Sequence, residues 1–537
     1  MDEFSKLDNF LTQLGTTAAK PATADQICIL FAAVMLVFVF FIHTVPDMEA
    51  ESDFFEGYIV EAKAFLDGSI AIDDYRGPLY PIVLALTHTV LSRLGADFFG
   101  TGKLLSLICA VWMLFLTNRY IRRIVDVRVA TVVVLLMVVN PTFLRYSYTA
   151  STDVPCSLLM TLALYRWLSS GGRTVPLIVA GAVTALAYLM RYNSAALLAG
   201  FVLAMLMVNP WRQSWWRRGA ATATVVMSFA VVILPWCLHL NAEKGHPFYS
   251  KNYLNVAYTY YAPPDGAEQF VQTYGNQLNG YWDVLTFDIG RLVGAIPESV
   301  DLRFMQFVIQ VLLWPTGLLA ALGLVLVFAR PPDRLVVASY VVGGVVLASV
   351  MLIFFSTRLY LFVLPFVLLL ATQGAVFVGR GLAGGGGASA RRTRAVLVGG
   401  AVFVLAFSAV SSAAYMRKHL TQGMPEARTF AERFIEITPE SQRAGQRVAA
   451  RKPYFAYYAD LEFVRIPVGL DYDAFLKYLH ARDVRYVYFS YIAARTRPEL
   501  KTLMDERFAH RGLRALATSQ VAVLYEVIGA GEQSRQP

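Results

Sequence analysis

Charge is scarce in this 537-residue chain. Asp, Glu, Lys and Arg make up 16% of it, hydrophobic residues make up 56%, and mean hydropathy is +0.50. A freely soluble protein of this length carries more charge, because its surface has to be wetted, so that class is excluded. Cysteine is also sparse. Cys28, Cys109, Cys156 and Cys237 all lie in or at the edges of apolar stretches. Their spacing fits neither a zinc site nor a disulfide framework, and they read as small core residues. No internal repeat is present. No small-residue cleavage site follows the first apolar block, Ile27 to Phe41, so that block reads as a retained helix rather than a cleaved signal. The formal net charge of +9 does not imply a nucleic-acid partner, because the basic residues sit in short clusters between hydrophobic blocks, as orientation signals do.

What is abundant is apolar sequence in blocks of roughly 16 to 24 residues, the length needed to cross about 30 Å of hydrocarbon as a helix. About eleven spans are expected, at 25–45, 101–117, 129–146, 153–168, 174–190, 194–208, 219–240, 304–328, 335–355, 358–378 and 395–415. The stretch 177–208 is broken only by Arg191-Tyr192-Asn193-Ser194 and is too long for one crossing, so it reads as a tight hairpin of two short helices. With the N-terminus inside, the cytoplasmic segments hold Lys6, Lys20, Arg119, Arg122, Arg123, Arg128, Arg173, Arg212, Arg217, Arg218, Arg330, Arg334, Arg380, Arg391, Arg392 and Arg394. The opposite short loops and their edges hold Arg145, Arg191 and Arg358. Sixteen basic residues against three is a positive-inside bias.

This orientation puts three polar pieces outside: a loop over 46–100, a loop over 241–303, and a C-terminal domain over 416–537. The membrane domain is therefore expected over 1–415. Segments 53–66 and 79–94 look amphipathic and are expected along the membrane surface. Gly384 to Gly387, inside a basic loop, read as a flexible cytoplasmic connector. The C-terminal piece mixes helical stretches at 426–437, 473–481 and 498–507 with β-rich runs at 486–489 and 521–524, which predicts a small α/β domain. The fold class is thus an all-α polytopic membrane domain with a small α/β extracytoplasmic domain, in a cell inner or plasma membrane.

The first outer loop opens with Asp47, Glu49, Glu51, Asp53, Glu56 and Glu61, and no Lys or Arg appears until Lys63. A solvated acidic face explains most of these. Asp53 is set apart by its bulky neighbours, Phe54-Phe55-Glu56-Gly57-Tyr58, which a purely solvated loop has little reason to use. The loop continues to Gly68 and then to Tyr75-Arg76-Gly77-Pro78-Leu79-Tyr80-Pro81.

An acid just beyond the first span, a short helix ending in Gly, and a basic residue before Pro-Leu-Tyr-Pro resemble the first outer loop of the GT-C superfamily. These are membrane glycosyltransferases that use polyprenyl-phosphate sugars, and the branch is the one related to protein O-mannosyltransferases and aminoarabinose transferases. Asn140-Pro141 followed by Tyr148 to Pro155 is similar to that family's second outer loop, and Ala187 to Asn193 to its segment ending in a basic residue. Ser356-Thr357-Arg358-Leu359-Tyr360 resembles its late Arg-Tyr segment, and Val448 to Pro467, with Arg451-Lys452-Pro453-Tyr454, the start of its soluble domain. Where the family often has adjacent Asp-Glu, Asp53 is followed here by Phe54. The resemblance implies a polyprenyl-phosphate sugar donor and a glycan, lipid or protein acceptor.

Under that reading Asp53 is the base and Arg191 and Arg358 clamp the donor phosphate, with Arg76 in support. A guanidinium can fork two charge-assisted hydrogen bonds to phosphate. For each arginine, snorkelling or closing a helix end is the plainer alternative. Glu56 and Asp153 are candidate second acids for the acceptor. Asp153 could instead pair with an arginine or cap the helix that begins before Pro155. A divalent metal bridging Asp53 and Asp153 is chemically admissible, although no ligand spacing demands one. The aromatics of 241–303, including Tyr249, Tyr253, Tyr258, Tyr260, Tyr261, Tyr281 and Trp282, either anchor the loop at the interface or stack on sugar as a lid. Two other classes compete: a transporter or flippase, whose site belongs near the midplane on broken helices within repeats, and a non-catalytic assembly factor or receptor.

Overall fold

The computed structural model describes residues 20–47, 50–262, 266–353, 355–382, 388–421, 423–505 and 510–528, without the side chains of Pro21, Ala267 and 379–398. The expected glycine connector at 384–387 and the acid Glu49 lie outside the described residues. The chain forms two compact units. The first comprises Met1–Ile42, Ala64–Tyr261 and Leu278–Lys418, and the second His43–Lys63, Ala262–Gln277 and His419–Pro537.

The first unit is helical. Four of its helices are long and apolar enough to span a bilayer, Ala22–Ile42, Phe98–Ile124, Trp215–Lys244 and Arg334–Met351, and a further apolar stretch of this kind begins at Gly399. Shorter apolar helices run over Leu79–Leu94, Thr174–Met190, Tyr192–Val208 and Leu364–Val378. Local sequence sets the ends. Asp97 Oδ1 accepts from Gly100 N at 2.7 Å and so opens Phe98–Ile124, while Asp126 Oδ1 accepts from Arg128 N and Val129 N at 2.7 and 2.9 Å. The break expected within 177–208 is present, a 3₁₀ turn at Tyr192–Ser194 standing between two helices.

Two expected spans are not straight. The span over 129–146 is a pair, Val127–Val138 and Pro141–Tyr148, bent by 67°. Asn140 ends one helix and caps the next, its Oδ1 accepting from Thr142 N and Phe143 N at 3.0 and 3.1 Å, and Pro141 cannot donate to the turn before it. The single span expected over 304–328 is corrected to two helices, Ile289–Leu312 and Trp314–Ala329, meeting at 114°. The joint is Leu313, whose φ is +63°, with Pro315 just beyond it. Hydropathy averages across such a joint, because both flanks are apolar.

Helix packing in this unit relies on close backbone approach. A Cβ on Gly323 would lie 2.0 Å from the Leu370 carbonyl oxygen, and one on Gly374 would lie 2.1 Å from that of Leu319. Helices Trp314–Ala329 and Leu364–Leu382 are thus held together where small residues let dispersion contacts accumulate, as is usual between membrane helices. Elsewhere Trp167 is fully buried and stacks on Phe201 at 5.0 Å between ring centroids. The four cysteines are buried and free, as their apolar settings imply.

The second unit is built on a five-stranded sheet of order β2-β1-β3-β5-β4, with β1 at Arg447–Ala450, β2 at Glu462–Arg465, β3 at Val484–Ser490, β4 at Leu513–Thr518 and β5 at Ala522–Val527. β1 runs parallel to β2 and β3, and β5 is antiparallel to β3 and β4. β3 is the central strand and is buried on both faces, which is why its sequence lacks polar alternation. Phe475, Leu479, Val487, Phe489, Leu500 and Val523 form the core on one face. Phe430, Phe434 and Phe455 pack on Tyr486 and Tyr488 on the other. The helices expected at 426–437 and 473–481 are present as Pro425–Ile437 and Tyr472–Ala481, and residues 498–504 form a 3₁₀ helix.

Candidate active site

In the first unit the candidate residues gather where apolar helices end. Helix Thr174–Met190 closes with Arg191 N donating to Ala187 O at 2.8 Å, and the extended backbone at Arg191 then turns the side chain out of the helix. Its guanidinium donates from Nη1 to Asp153 Oδ1 and to Thr152 Oγ1, the latter at 3.2 Å. Asp153 begins helix Asp153–Leu168, and its side chain is 2% exposed against 20% for Arg191. Of the alternatives open for Asp153, pairing with an arginine is therefore what is seen. The second oxygen, Oδ2, is buried with no hydrogen-bond partner among the described residues, and Arg191 makes no further side-chain hydrogen bond among them. One edge of the guanidinium fork thus remains available.

Two more arginines bear on the same place. Arg145, 3% exposed, donates to Tyr415 Oη at 3.0 Å and lies over the rings of Tyr146 and Tyr415. The buried phenol of Tyr146 feels the charges of Arg145, Arg358 and Asp153 together. Arg358 is carried on the 3₁₀ turn Thr357–Tyr360 and is half-buried. Arg358 and Asp153 therefore lie within electrostatic range of one aromatic, Arg191 joins them through its pair with Asp153, and Arg145 is a further member that periodicity alone did not single out. Its signal was available: an arginine within an apolar span, followed by Tyr146 and Tyr148, is expensive and seldom incidental. Another buried arginine, Arg303, donates to Met351 O and to Tyr260 Oη, the latter at 3.3 Å.

Arg76 reaches this region through its backbone. A Cβ on Gly77 would lie 2.0 Å from Leu189 O, so glycine lets the chain pass directly against the turn that delivers Arg191. The Arg76 guanidinium itself pairs with Asp73 at 2.6 Å. The adjacent Asp74 accepts from Lys251 Nζ and from Tyr249 Oη, both at 2.7 Å, and Asn252 Nδ2 donates to Tyr75 O at 2.8 Å. Partial burial raises the Asp74 carboxyl, but the Lys251 and Tyr249 hydrogen bonds outweigh it and hold the group below the usual carboxylate range. Several aromatics of 241–303 serve as internal packing: Tyr253 Oη donates to Leu278 O and Tyr261 Oη to Val284 O, at 2.8 and 2.7 Å.

The second unit carries Asp53 and Glu56. Segment 43–63 is folded around buried acids: Glu51 Oε2 accepts from Asp47 N at 2.7 Å and faces His43 Nε2 at 2.9 Å, and Tyr454 Oη donates to Asp47 O at 3.0 Å. Asp53, half-buried, immediately precedes the π-helical turn Phe54–Tyr58, a wound segment of the kind that often marks functional positions. The aromatics that distinguish Asp53 in the sequence are structural, since Phe55 packs edge-on against Tyr454 and Tyr457 at 5.3 and 4.8 Å. Glu56 is ion-paired with Arg465, and the ammonium of Lys452 lies within the field of both Asp53 and Glu56. Among the described residues no group of three His, Cys, Asp or Glu side chains could hold a metal ion.

Residues 76–239 match the family model for dolichyl-phosphate-mannose-protein mannosyltransferase, a range that includes Arg76, Asp153 and Arg191. ArnT from Cupriavidus metallidurans, solved with undecaprenyl phosphate, is similar over 94% of this chain and 98% of its own, at 12% identity and a TM-score of 0.57. The same protein in its apo state aligns over 93% of this chain and 97% of its own, at 14% identity and a TM-score of 0.58. The chain has a GT-C-like fold. The oligosaccharyltransferase AglB from Archaeoglobus fulgidus, solved with an inhibitory peptide and a dolichol-phosphate, shares it at 12% identity and a TM-score of 0.57, over 87% of this chain and 69% of that one. No curated protein matches the sequence. The resemblance read from the outer-loop motifs is therefore supported from two directions: a family match over residues 76–239 and a GT-C-like fold over nearly the whole chain.

Proposed function

We propose that this chain is a membrane glycosyltransferase that moves a sugar, with inversion, from a polyprenyl-phosphate donor to a hydroxyl on a glycan, lipid or protein acceptor at the outer face of the membrane. The observation that carries the reading is the cluster of the first unit, in which Arg191 pairs with the buried Asp153 and keeps an open guanidinium edge, while Arg145, Arg358 and Asp153 all act on the buried Tyr146. An excess of fixed positive charge at the ends of apolar helices suits a phosphate whose prenyl tail stays in the lipid. The similar ArnT and AglB structures each hold a polyprenyl-type phosphate, which supports the donor class.

In the proposed reaction Asp53 takes the proton of the acceptor hydroxyl, whose oxygen attacks the anomeric carbon. The bond from that carbon to the phosphate oxygen breaks, and its electrons leave on the prenyl phosphate, held by Arg191 and Arg358. The departing monoester has a second pKa near 6, so it needs little acid help, and one carboxylate base suffices. Arg76 supports the phosphate from the segment beside Leu189. Asp153 orients Arg191, and Glu56 remains a candidate second acid toward the acceptor. The excess of arginines on the predicted cytoplasmic loops supports an N-terminus inside and a C-terminal domain outside, periplasmic or extracellular.

The test is transfer by the purified chain in proteoliposomes from a labelled polyprenyl-phosphate sugar, with the product anomer read by NMR. Inverted product is expected without net movement of the lipid-linked sugar between leaflets. Translocation without transfer would instead establish the transporter reading. A chelator titration in the same assay reports metal dependence.

A further inference from the structure

The soluble unit contains a second concentration of basic and aromatic groups that the transfer reading does not use. A cleft is lined by Arg451, Lys452, Tyr454, Phe455, Tyr488 and Ser490. These residues come from three places in the fold: the loop after β1, the short helix Tyr454–Ala459, and the end of the central strand β3. Tyr488 is rigidly held. Its ring stacks on Phe455 with centroids 4.7 Å apart and planes 3° from parallel, and Phe430 packs edge-on at 5.8 Å.

Two polar atoms in this cleft are buried with no hydrogen-bond partner among the described residues, Arg451 Nε and Tyr488 Oη. Buried polar atoms are satisfied in all but a few per cent of cases, so two donors orphaned in one cleft point to an absent acceptor. The cations beside them lack close counter-charges. The acids within electrostatic range are engaged elsewhere, Glu56 with Arg465 and Glu268 with Arg497 at 2.7 Å. Asp53 bears on Lys452 only through its field, and Glu426 bears on Tyr488 in the same way. Neither Arg451 nor Lys452 makes an ion pair or side-chain hydrogen bond among the described residues, and burial lowers both from their ordinary values. An uncompensated buried cation is costly, and an incoming anion would relieve that cost.

We infer that this cleft is a binding site for a single oxyanion group, phosphate or carboxylate, clamped by Arg451 and Lys452 and accepting a hydrogen bond from the Tyr488 hydroxyl. Its aromatic lining of Tyr454, Phe455 and Tyr488 suits the charged end of a larger molecule such as an acidic saccharide or a phosphorylated glycan. The inference does not rest on the sugar-transfer reading.

The experiment is isothermal titration of the full-length protein in neutral detergent with inorganic phosphate and, separately, with glucuronate, comparing wild type with Lys452→Gln, Tyr488→Phe and Arg191→Ala. Saturable binding is expected, about 10-fold or more weaker in Lys452→Gln, because a hydrogen bond to a charged group contributes about a factor of ten or more. Tyr488→Phe keeps the stacked ring and so the fold, and is expected to weaken binding about 3-fold to 10-fold. Arg191→Ala should leave glucuronate binding unchanged. Binding lost in Arg191→Ala but intact in both cleft variants would overturn the inference, as would the absence of saturable binding for both probes. Repeating the titration in nanodiscs of anionic lipid separates the sources: competition by the bilayer identifies a lipid headgroup as the oxyanion, and undiminished affinity identifies a soluble one.

Discussion

Removing Arg191 and neutralising Asp153 should have opposite consequences for the donor phosphate. In Arg191→Ala the Asp153 carboxylate, 2% exposed, keeps one oxygen without a partner and loses the donor to the other. Breaking a buried ion pair from one side costs about 3–5 kcal/mol, because the remaining charge is left uncompensated. Exposure of Arg191 at 20% puts the expected value near the lower end, about 3 kcal/mol. Asp153→Asn keeps an acceptor for the guanidinium, removes one negative charge from beside the proposed phosphate, and should cost about 1 kcal/mol or less. The assay pairs chemical denaturation of the chain in detergent with titration of a short-chain prenyl phosphate. Arg191→Ala should be the less stable variant and should bind the lipid phosphate about 10-fold or more weakly. Asp153→Asn should bind it as well as wild type or better. If Asp153→Asn lost lipid-phosphate affinity as fully as Arg191→Ala, the acid would be a direct ligand in the site and the assignment of Asp153 as the residue that orients Arg191 would be wrong.

Gly77→Ala places a methyl group 2.0 Å from Leu189 O, and should destabilise the first unit by about 1–3 kcal/mol and lower transfer along with it, as read by denaturant midpoints and initial rates. Arg358→Ala should raise the dissociation constant for the prenyl phosphate; unchanged lipid-phosphate binding would remove it from the clamp. The Asp74–Lys251 pair gives a pH signature. The folded-state value of Asp74 lies below its ordinary 3.8, so its contribution is complete above that value and is lost as pH falls through the lowered one. Lys251 is raised above 10.5, so its contribution is complete below that value and is lost as pH rises through the raised one. Both side chains are more than a third exposed, so the effect is at most about 1 kcal/mol, and hydrogen exchange over 73–76 and 249–252 should show it in wild type and not in Asp74→Asn.

Much of the fold was legible because its signals are local. Helices Asp153–Leu168 and Thr174–Met190 begin and end where the apolar blocks do, since a charged or capping residue stands at each boundary. The strands around Tyr486–Phe489 and Val521–Leu524 follow from β-branched and aromatic runs. The joint at Leu313 was not legible, because a backbone reversal between two apolar segments leaves no polar mark. β1 and β2 were missed for a related reason: four residues each, one of them Arg-Val-Ala-Ala, are too short and too weakly biased to show a period. At the site, Arg191, Arg358 and Asp153 stood out as charges at helix ends. Arg145 was counted only as an orientation signal, although its place within an apolar span beside Tyr146 marks it as more than that. The Arg451-Lys452 pair carried a family resemblance in the sequence, while its chemistry depends on Tyr488, brought alongside by β3.

The central claim is that Asp53 does chemistry and the arginines hold the donor. Single-turnover transfer by Asp53→Asn, measured beside equilibrium binding of the same lipid-linked sugar, tests it most directly. The account predicts a fall in the transfer rate of about 10²-fold to 10⁴-fold, the usual contribution of a general base, with donor affinity within about 3-fold of wild type. Transfer at the wild-type rate, or a loss that tracks donor affinity alone, would contradict it.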